Sequence, residues 1–393
     1  MTLAGYRHRV ALFLCAYVFV GLAFGIEKEP LQEYRSRRER LAQRIKGSVL
    51  VLRAAPDHEL VRYQQEPNFY YLTGFDEPNA VLLLDAAAEP PQEFLFLPER
   101  KPAEELWTGP KLGAGAEAER ITGFAKVLPA SDFDSVLRRT SEHAKAVLGL
   151  KDVEADIAYL RQVKSPTEIA LLEKAIRITL KAQEAAARTI AAGVLEYEVE
   201  AALEYEFRRN GAERPGFPSI VGSGPFSTIL HYDKNERRMQ AGDVVVVDIG
   251  AAYGGYSADV TRTYPVSGKF SPRQREIYQV VLEAQKAALA RIKPGVRISE
   301  IHQAAMTHIR SKGYEKYFIH GTSHHIGLEV HDVGETSRPL EPNMVITVEP
   351  GIYIPEEQIG IRIEDDVLVT PAGYRLLSPF PKEIPEVEAL LKR

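Results

Sequence analysis

Two stretches of this 393-residue chain repeat one pattern, and that pattern limits the fold more than any other feature. VVVVDIG (244–250) and VITVEPG (345–351) are apolar runs ending in an acid, Asp248 or Glu349, with glycine two residues later. Each passes through a turn-forming stretch and returns as a strand carrying a second acid. These are Asp259 in YSADVTRTY, 11 residues on, and Glu364 in IGIRIEDDVLV, 15 residues on. Hairpin strands lie about 5 Å apart, so the two acids of a pair can meet on one face near one end. Two such hairpins could therefore bring four carboxylates to one point. Asp248 and Glu349 follow four or five apolar residues and should enter buried surroundings, where an unpaired charge is expensive. Arg262 and Arg362 could form ion pairs there, but two guanidinium groups compensate four carboxylates at one centre poorly. Divalent cations do so more naturally.

A third segment, HGTSHHIGLEVHDVG (320–334), holds His320, His324, His325 and His331. It is not an HExxH zinc helix, because glycines interrupt it and the spacing differs. The clustering points to at least one imidazole ligand. His325 is the weakest candidate, since it should face away if His324 faces the acids. Carboxylates with an imidazole form a hard, oxygen-rich set that favours Mn, Co, Zn or Fe over copper. Two cations about 3.5–4 Å apart, bridged by carboxylates, lower the pKa of a bound water and point to hydrolysis. Composition removes the competing chemistries. The single cysteine, Cys15, excludes an intrachain disulfide framework, a cysteine zinc cage and an iron–sulfur centre. Lys plus Arg number 49 against 54 Asp plus Glu, a net charge of -5, which leaves no broad basic field for a nucleic-acid backbone.

The chain divides into three parts: residues 1–25, 26–160 and 161–393. Arg7, His8 and Arg9 precede an apolar run over 10–24, with Ala23 and Gly25 as small residues at a cleavage spacing, the pattern of a secretory signal peptide. Cleavage after Gly25 predicts export to the periplasm or outside the cell. A retained membrane anchor is the alternative, although the run is short of the roughly 20 residues that span a bilayer. Residues 34–46 predict an amphipathic helix whose arginines form a solvated face. Strands at 48–52, 80–84 and 93–97 predict a small α/β domain, and the aromatic segment 62–75 reads as core packing. SPTE at Ser165 is a capping box with proline at the first helical position, and SPRQ at Ser271 repeats it. Helices should run from there to about 192 and 292. Others cover 197–210 and a stretch from Ser299 toward 312.

With these residues in place, the chain resembles the pita-bread metallopeptidase family, and within it the Xaa-Pro aminopeptidases. The resemblance rests on ILHYDKN (229–235), VVDIGAAYGGYSADVTRTYPV (246–266), the histidine segment, VEPGIYI (348–354) and IGIRIEDDVLVT (359–370). FYYLTGFDEPNAVLLL (69–84) and ELWTG (105–109) resemble the accessory domain of that family. It implies an α+β pita-bread catalytic domain with a pseudo-twofold pair of strand-bearing halves, preceded by a smaller α/β accessory domain. It further implies two divalent metal ions, manganese first and Co, Zn or Fe as alternatives, on Asp248, Asp259, His324, Glu349 and Glu364, with Asp259 and Glu364 bridging. Glu349 becomes the acid–base residue beside a metal-bridging hydroxide, and His231 and His331 contact substrate and move protons. His320, Tyr353 and Arg362 line the substrate pocket, with Arg362 orienting a ligand carboxylate. The implied substrates are peptides with proline in second place. A prolidase restricted to Xaa-Pro dipeptides and a catalytically silent peptide-binding protein are the rivals, and assembly as a homo-oligomer is implied through the accessory domain. The connection between Tyr353 and Gly360, six residues, is shorter than in bacterial members and should open the pocket.

Overall fold

A computed structural model describes residues 27–58 and 62–392. The expected leader and Cys15 lie outside the described residues. Among the described residues, no helix is long and apolar enough to cross a membrane.

Strands β1 (Val49–Arg53), β2 (Val81–Asp85), β3 (Gln92–Leu97), β4 (Val127–Pro129) and β5 (Val147–Leu148) form one sheet in the order β4-β3-β2-β1-β5. The first three pair antiparallel, and the two edge strands join parallel. The aromatic segment does pack as a core: Phe69, Tyr71 and Leu72 are fully buried on the short helix Pro67–Thr73. The helix expected over 34–46 spans Leu31–Arg44, and its charge run is not simply a solvated face. Arg37 and Arg38 are buried. Arg38 forks onto both oxygens of Glu93 at 2.6 and 3.0 Å and lies over the Phe124 ring, while Arg37 pairs with Glu29 and Glu168. A guanidinium tolerates burial when a carboxylate and an aromatic face take up its charge and plane, so the pattern of charges alone misplaced these two.

Beyond residue 160 the two hairpins take the same course. In the first, β6 (Arg214–Pro215) and β7 (Ile220–Ser223) flank the run of β8 (Val244–Ile249), β9 (Ala251–Tyr253), β10 (Tyr256–Ser257) and β11 (Val260–Pro265). β9 pairs with β10, and β8 pairs with β11. In the second, β12 (Val345–Val348), β13 (Gly351–Ile354), β14 (Ile359–Arg362) and β15 (Asp365–Thr370) repeat it, β13 with β14 and β12 with β15, and β16 (Gly373–Leu376) is added at the edge. Each hairpin is therefore broken in its middle. The breaks fall at Gly250 and Ala258–Asp259 in one half, and at Glu349–Pro350 and Ile363–Glu364 in the other. Gly250 must stay small: a Cβ there would stand 1.7 Å from the Ala258 carbonyl oxygen.

A helix pair precedes each hairpin: Pro166–Thr189 with Glu196–Arg209, and Pro272–Leu289 with Ile298–Ser311. Both SP-type capping boxes form, Ser165 with Glu168 and Ser271 with Gln274. The fourth helix starts at Ile298, one residue ahead of the expected Ser299, with Arg297 at the cap position and no side-chain cap. The long helices lie on β8 to β11 and on β12 to β14 respectively. β8 is consequently buried at every residue, which is why VVVVDI reads as an unbroken apolar run rather than an alternating one.

Candidate active site

The two hairpins converge on a cavity of about 590 Å³. Its wall includes Asp248, Asp259, His324, Glu349, Glu364, His231, His320, His331 and Arg362, so nine of the ten residues named from the sequence face one space. Tyr353 lies behind it.

Asp259, His324 and Glu364 form the tightest group, with one ligand atom from each within 4.8 Å of the others. Glu349 Oε1 and Asp259 Oδ2 each stand 3.6 Å from His324 Nε2. The imidazole is already oriented. Its Nδ1 lies 3.0 Å from the His325 carbonyl oxygen, which can only accept, so Nδ1 carries the proton and Nε2 presents a lone pair to the carboxylates. His325 is turned away, its Nε2 at 3.0 Å from the Gln162 amide.

The carboxylates have too few partners for their burial. Asp248 Oδ1, Asp259 Oδ1 and Glu364 Oε1 are buried without a hydrogen bond. Burial, then the neighbouring Glu364 and Asp248, push the Asp259 carboxyl well above its ordinary range. Burial, then Glu349 and Asp248, do the same to Glu364. Glu349 is pushed up to about 8 by burial and by Asp248, against the pull of Arg362. Orphaned oxygens on clustered, hard donors beside a free imidazole nitrogen are what divalent cations require, and the cation's charge would reverse each of these shifts. The residues fit the metal.

Supporting contacts fix the set. Arg362 donates to Asp248 at 2.6 Å, to the Tyr353 hydroxyl at 2.8 Å and to Thr261 at 3.2 Å, so it orients a ligand carboxylate and has little left for a substrate. The Tyr353 hydroxyl in turn donates to His320 Nε2 at 2.9 Å, because His320 Nδ1 is committed to the Gly321 carbonyl at 2.7 Å. Burial and Arg362 lower His320 to about 4, which keeps it neutral. Arg262, considered for the same cluster, instead bonds Asp365 at 2.8 Å on the far side. Two contributors were not singled out in the sequence. Thr261 donates to Glu364 Oε2 at 2.6 Å, and Asp366 accepts from the Asp259 backbone N–H at 3.1 Å. Neither was recoverable, because their partners lie 103 and 107 residues away.

His231 and His331 reach the cavity from separate loops, their ring centroids 6.3 Å apart, and His331 meets His324 edge-on at 4.5 Å. The loop carrying His331 is pinned by its neighbour. Although burial opposes ionisation of Asp332, Lys164 at 2.9 Å and Arg161 hold its carboxyl below the usual range.

Two mirrored hairpins that converge carboxylates and an imidazole on one cavity define a metal-dependent hydrolase. The chain belongs to metallopeptidase family M24, matched over residues 170–371, and residues 34–148 match the aminopeptidase P N-terminal domain. As a member it works with divalent metal ions. It is 36% identical to the Xaa-Pro aminopeptidase of Haemophilus influenzae, over 93% of this chain and 98% of that protein. It is also 36% identical to the Xaa-Pro dipeptidase of Pyrococcus horikoshii, over 83% and 94% respectively. The zinc-substituted aminopeptidase P of Escherichia coli in complex with product superposes with a TM-score of 0.85 at 33% identity, covering 93% of this chain and 99% of that one. The pita-bread fold with its accessory domain is thereby established.

Proposed function

We infer that this enzyme hydrolyses the bond between an N-terminal residue and a following proline, in peptides longer than two residues. The observation that carries the reading is the match to an Xaa-Pro aminopeptidase over nearly its whole length, accessory half included, with every expected donor gathered in one cavity. Asp248, Asp259, His324, Glu349 and Glu364 would hold two divalent ions, manganese being the proposed native pair. Bound there, they would activate a water and neutralise charge on the scissile carbonyl oxygen.

The chain's own groups supply the rest. Glu349 takes the proton of the attacking water, from its place in the cavity wall beside His324. His331 stands over His324 and donates to the carbonyl oxygen as it gains charge. Proline makes the leaving nitrogen a secondary amine that must be protonated to depart, and His231 is the proposed donor. The neutral His320, held by Tyr353 and Arg362, lines the wall beside the scissile bond.

Restriction to dipeptides is the second reading, favoured by the near-complete match to the P. horikoshii enzyme. Comparing an Xaa-Pro-Xaa tripeptide with an Xaa-Pro dipeptide, using chelated enzyme with one metal restored at a time, separates the two. Cleavage of the tripeptide at the first bond is expected; turnover of the dipeptide alone would overturn the first reading. Export after leader cleavage is proposed on the pattern of residues 1–25. A homo-oligomer is proposed through the accessory half, where Leu106 and Trp107 stand 86% and 89% exposed.

A further inference from the structure

Behind the cavity, each half of the catalytic region contains one fully buried glutamine, Gln183 and Gln285, that none of the proposed chemistry uses. Gln183 lies 18 residues past the capping Ser165, and Gln285 lies 14 past the capping Ser271. The offset of four residues is one helical turn, so the two occupy the same face of equivalent helices.

Their bonds are equivalent too. Gln183 Nε2 donates to the Val247 carbonyl at 3.1 Å and to the Val260 carbonyl at 2.8 Å. Gln285 Nε2 reaches the Val348 carbonyl at 3.2 Å and the Ile363 carbonyl at 3.3 Å. Val247 immediately precedes Asp248, and Val260 immediately follows Asp259. Val348 and Ile363 immediately precede Glu349 and Glu364. One side-chain amide thus ties together the two strands of each hairpin through carbonyls of residues next in sequence to the four acids. The Val247, Val348 and Ile363 carbonyls belong to the peptide units that enter Asp248, Glu349 and Glu364, and the Val260 carbonyl lies one residue past Asp259. The amides are themselves locked. Tyr264 donates to Gln183 Oε1 at 2.8 Å, and Lys382 donates to Gln285 Oε1 at 2.9 Å. The halves are not identical: Val260 follows its acid whereas Ile363 precedes its own, the locking groups are a tyrosine and a lysine, and Gln285 Nε2 also lies 3.0 Å from Asp365 Oδ2.

We propose that Gln183 and Gln285 are paired positioning residues that set the spacing of the carboxylate donors, one clamp per half of the site. Asp259, Glu349 and Glu364 stand at strand breaks, where no continuous ladder fixes the peptide plane, and Asp248 lies two residues before one, while metal donors must be held to within about 0.5 Å. A planar amide with two N–H groups spans two carbonyls at fixed separation, which a single hydroxyl or an apolar side chain cannot do. The inference rests on the metal reading above.

The test is metal titration of chelated full-length protein by calorimetry, with Mn²⁺ and with Co²⁺, for wild type, Gln183→Met and Gln285→Met. Methionine keeps the length and removes every hydrogen bond. Metal affinity about 10–100-fold weaker than wild type is expected for each, together with an altered Co²⁺ absorption spectrum, which reports donor geometry. Rescue by excess metal should restore activity. If a methionine variant does not fold, Tyr264→Phe and Lys382→Met loosen the same amides while leaving them in place, and a smaller weakening of several-fold is expected. Affinities and spectra matching wild type within about twofold, whatever the thermal stability, would overturn the proposal. Wild type binding no metal would instead sink the metal reading on which it rests.

Discussion

Glu349 shows how one residue's surroundings decide its use. Burial and the Asp248 charge raise it from 4.5 to about 8 despite Arg362, and Asp259 and Glu364 move in the same direction. In chelated protein the folded chain therefore keeps protons that the unfolded chain releases above about pH 4.5. The unfolding free energy should fall as pH rises from there through about pH 8, and Glu349→Gln should make that fall shallower. Urea titrations in EDTA at several pH values measure it; a wild-type slope no steeper than the variant's would contradict the assignment. With metal restored, Glu349→Gln and His324→Ala should each lower kcat by at least about 100-fold while circular dichroism stays unchanged, because one loses the proton acceptor and the other a donor. The four acids were legible together from the repeated strand pattern, the clustered imidazoles pointed to at least one ligand, and the family resemblance singled out His324. The tautomer of His324 was not legible, since it depends on where the His325 carbonyl points.

At the scale of elements, the capping boxes at Ser165 and Ser271 could be read directly, because a cap is a local bargain among four consecutive residues. Ser165→Ala and Ser271→Ala should each cost about 1 kcal/mol, read as a fall in thermal midpoint with metal affinity intact. The helix beginning at Ile298 has no such side-chain cap, and its start was correspondingly misplaced by one residue. Periodicity located the helix over Leu31–Arg44 but not the side on which Arg37 and Arg38 lie, because their partners Glu93, Glu168 and Phe124 come from distant segments. The breaks in the two hairpins were visible only as glycines two residues beyond an acid. That Asp259, Glu349 and Glu364 sit at breaks, while Asp248 stays in the β8–β11 ladder opposite Thr261, required the strand pairing itself.

Across the whole molecule, the site is closed by its two halves and by loops from elsewhere, so metal binding and folding are linked. A divalent ion at 100 times its dissociation constant should stabilise the protein by about 2.7 kcal/mol per independent site, seen as a higher thermal midpoint on metal addition to chelated protein and its loss with EDTA. No shift would mean that the cavity does not bind the ion. At the other end of the chain, N-terminal sequencing of exported protein should give a start at Ile26; retention of Met1 would refute leader cleavage.

By itself the sequence determined which residues could carry the chemistry. Two acids ending apolar runs, two more on the returning strands, a histidine cluster and a repeated capping box are local patterns, and local patterns survive in one dimension. Only the tertiary structure decided how those residues are held. Asp248 is aimed by an arginine 114 residues away, Glu364 by a threonine 103 residues away, and the backbone beside all four carboxylates by two glutamines on helices outside the hairpins. A buried polar group is satisfied by whatever the fold brings within about 3 Å of it, and nothing in the spacing of a sequence specifies that partner.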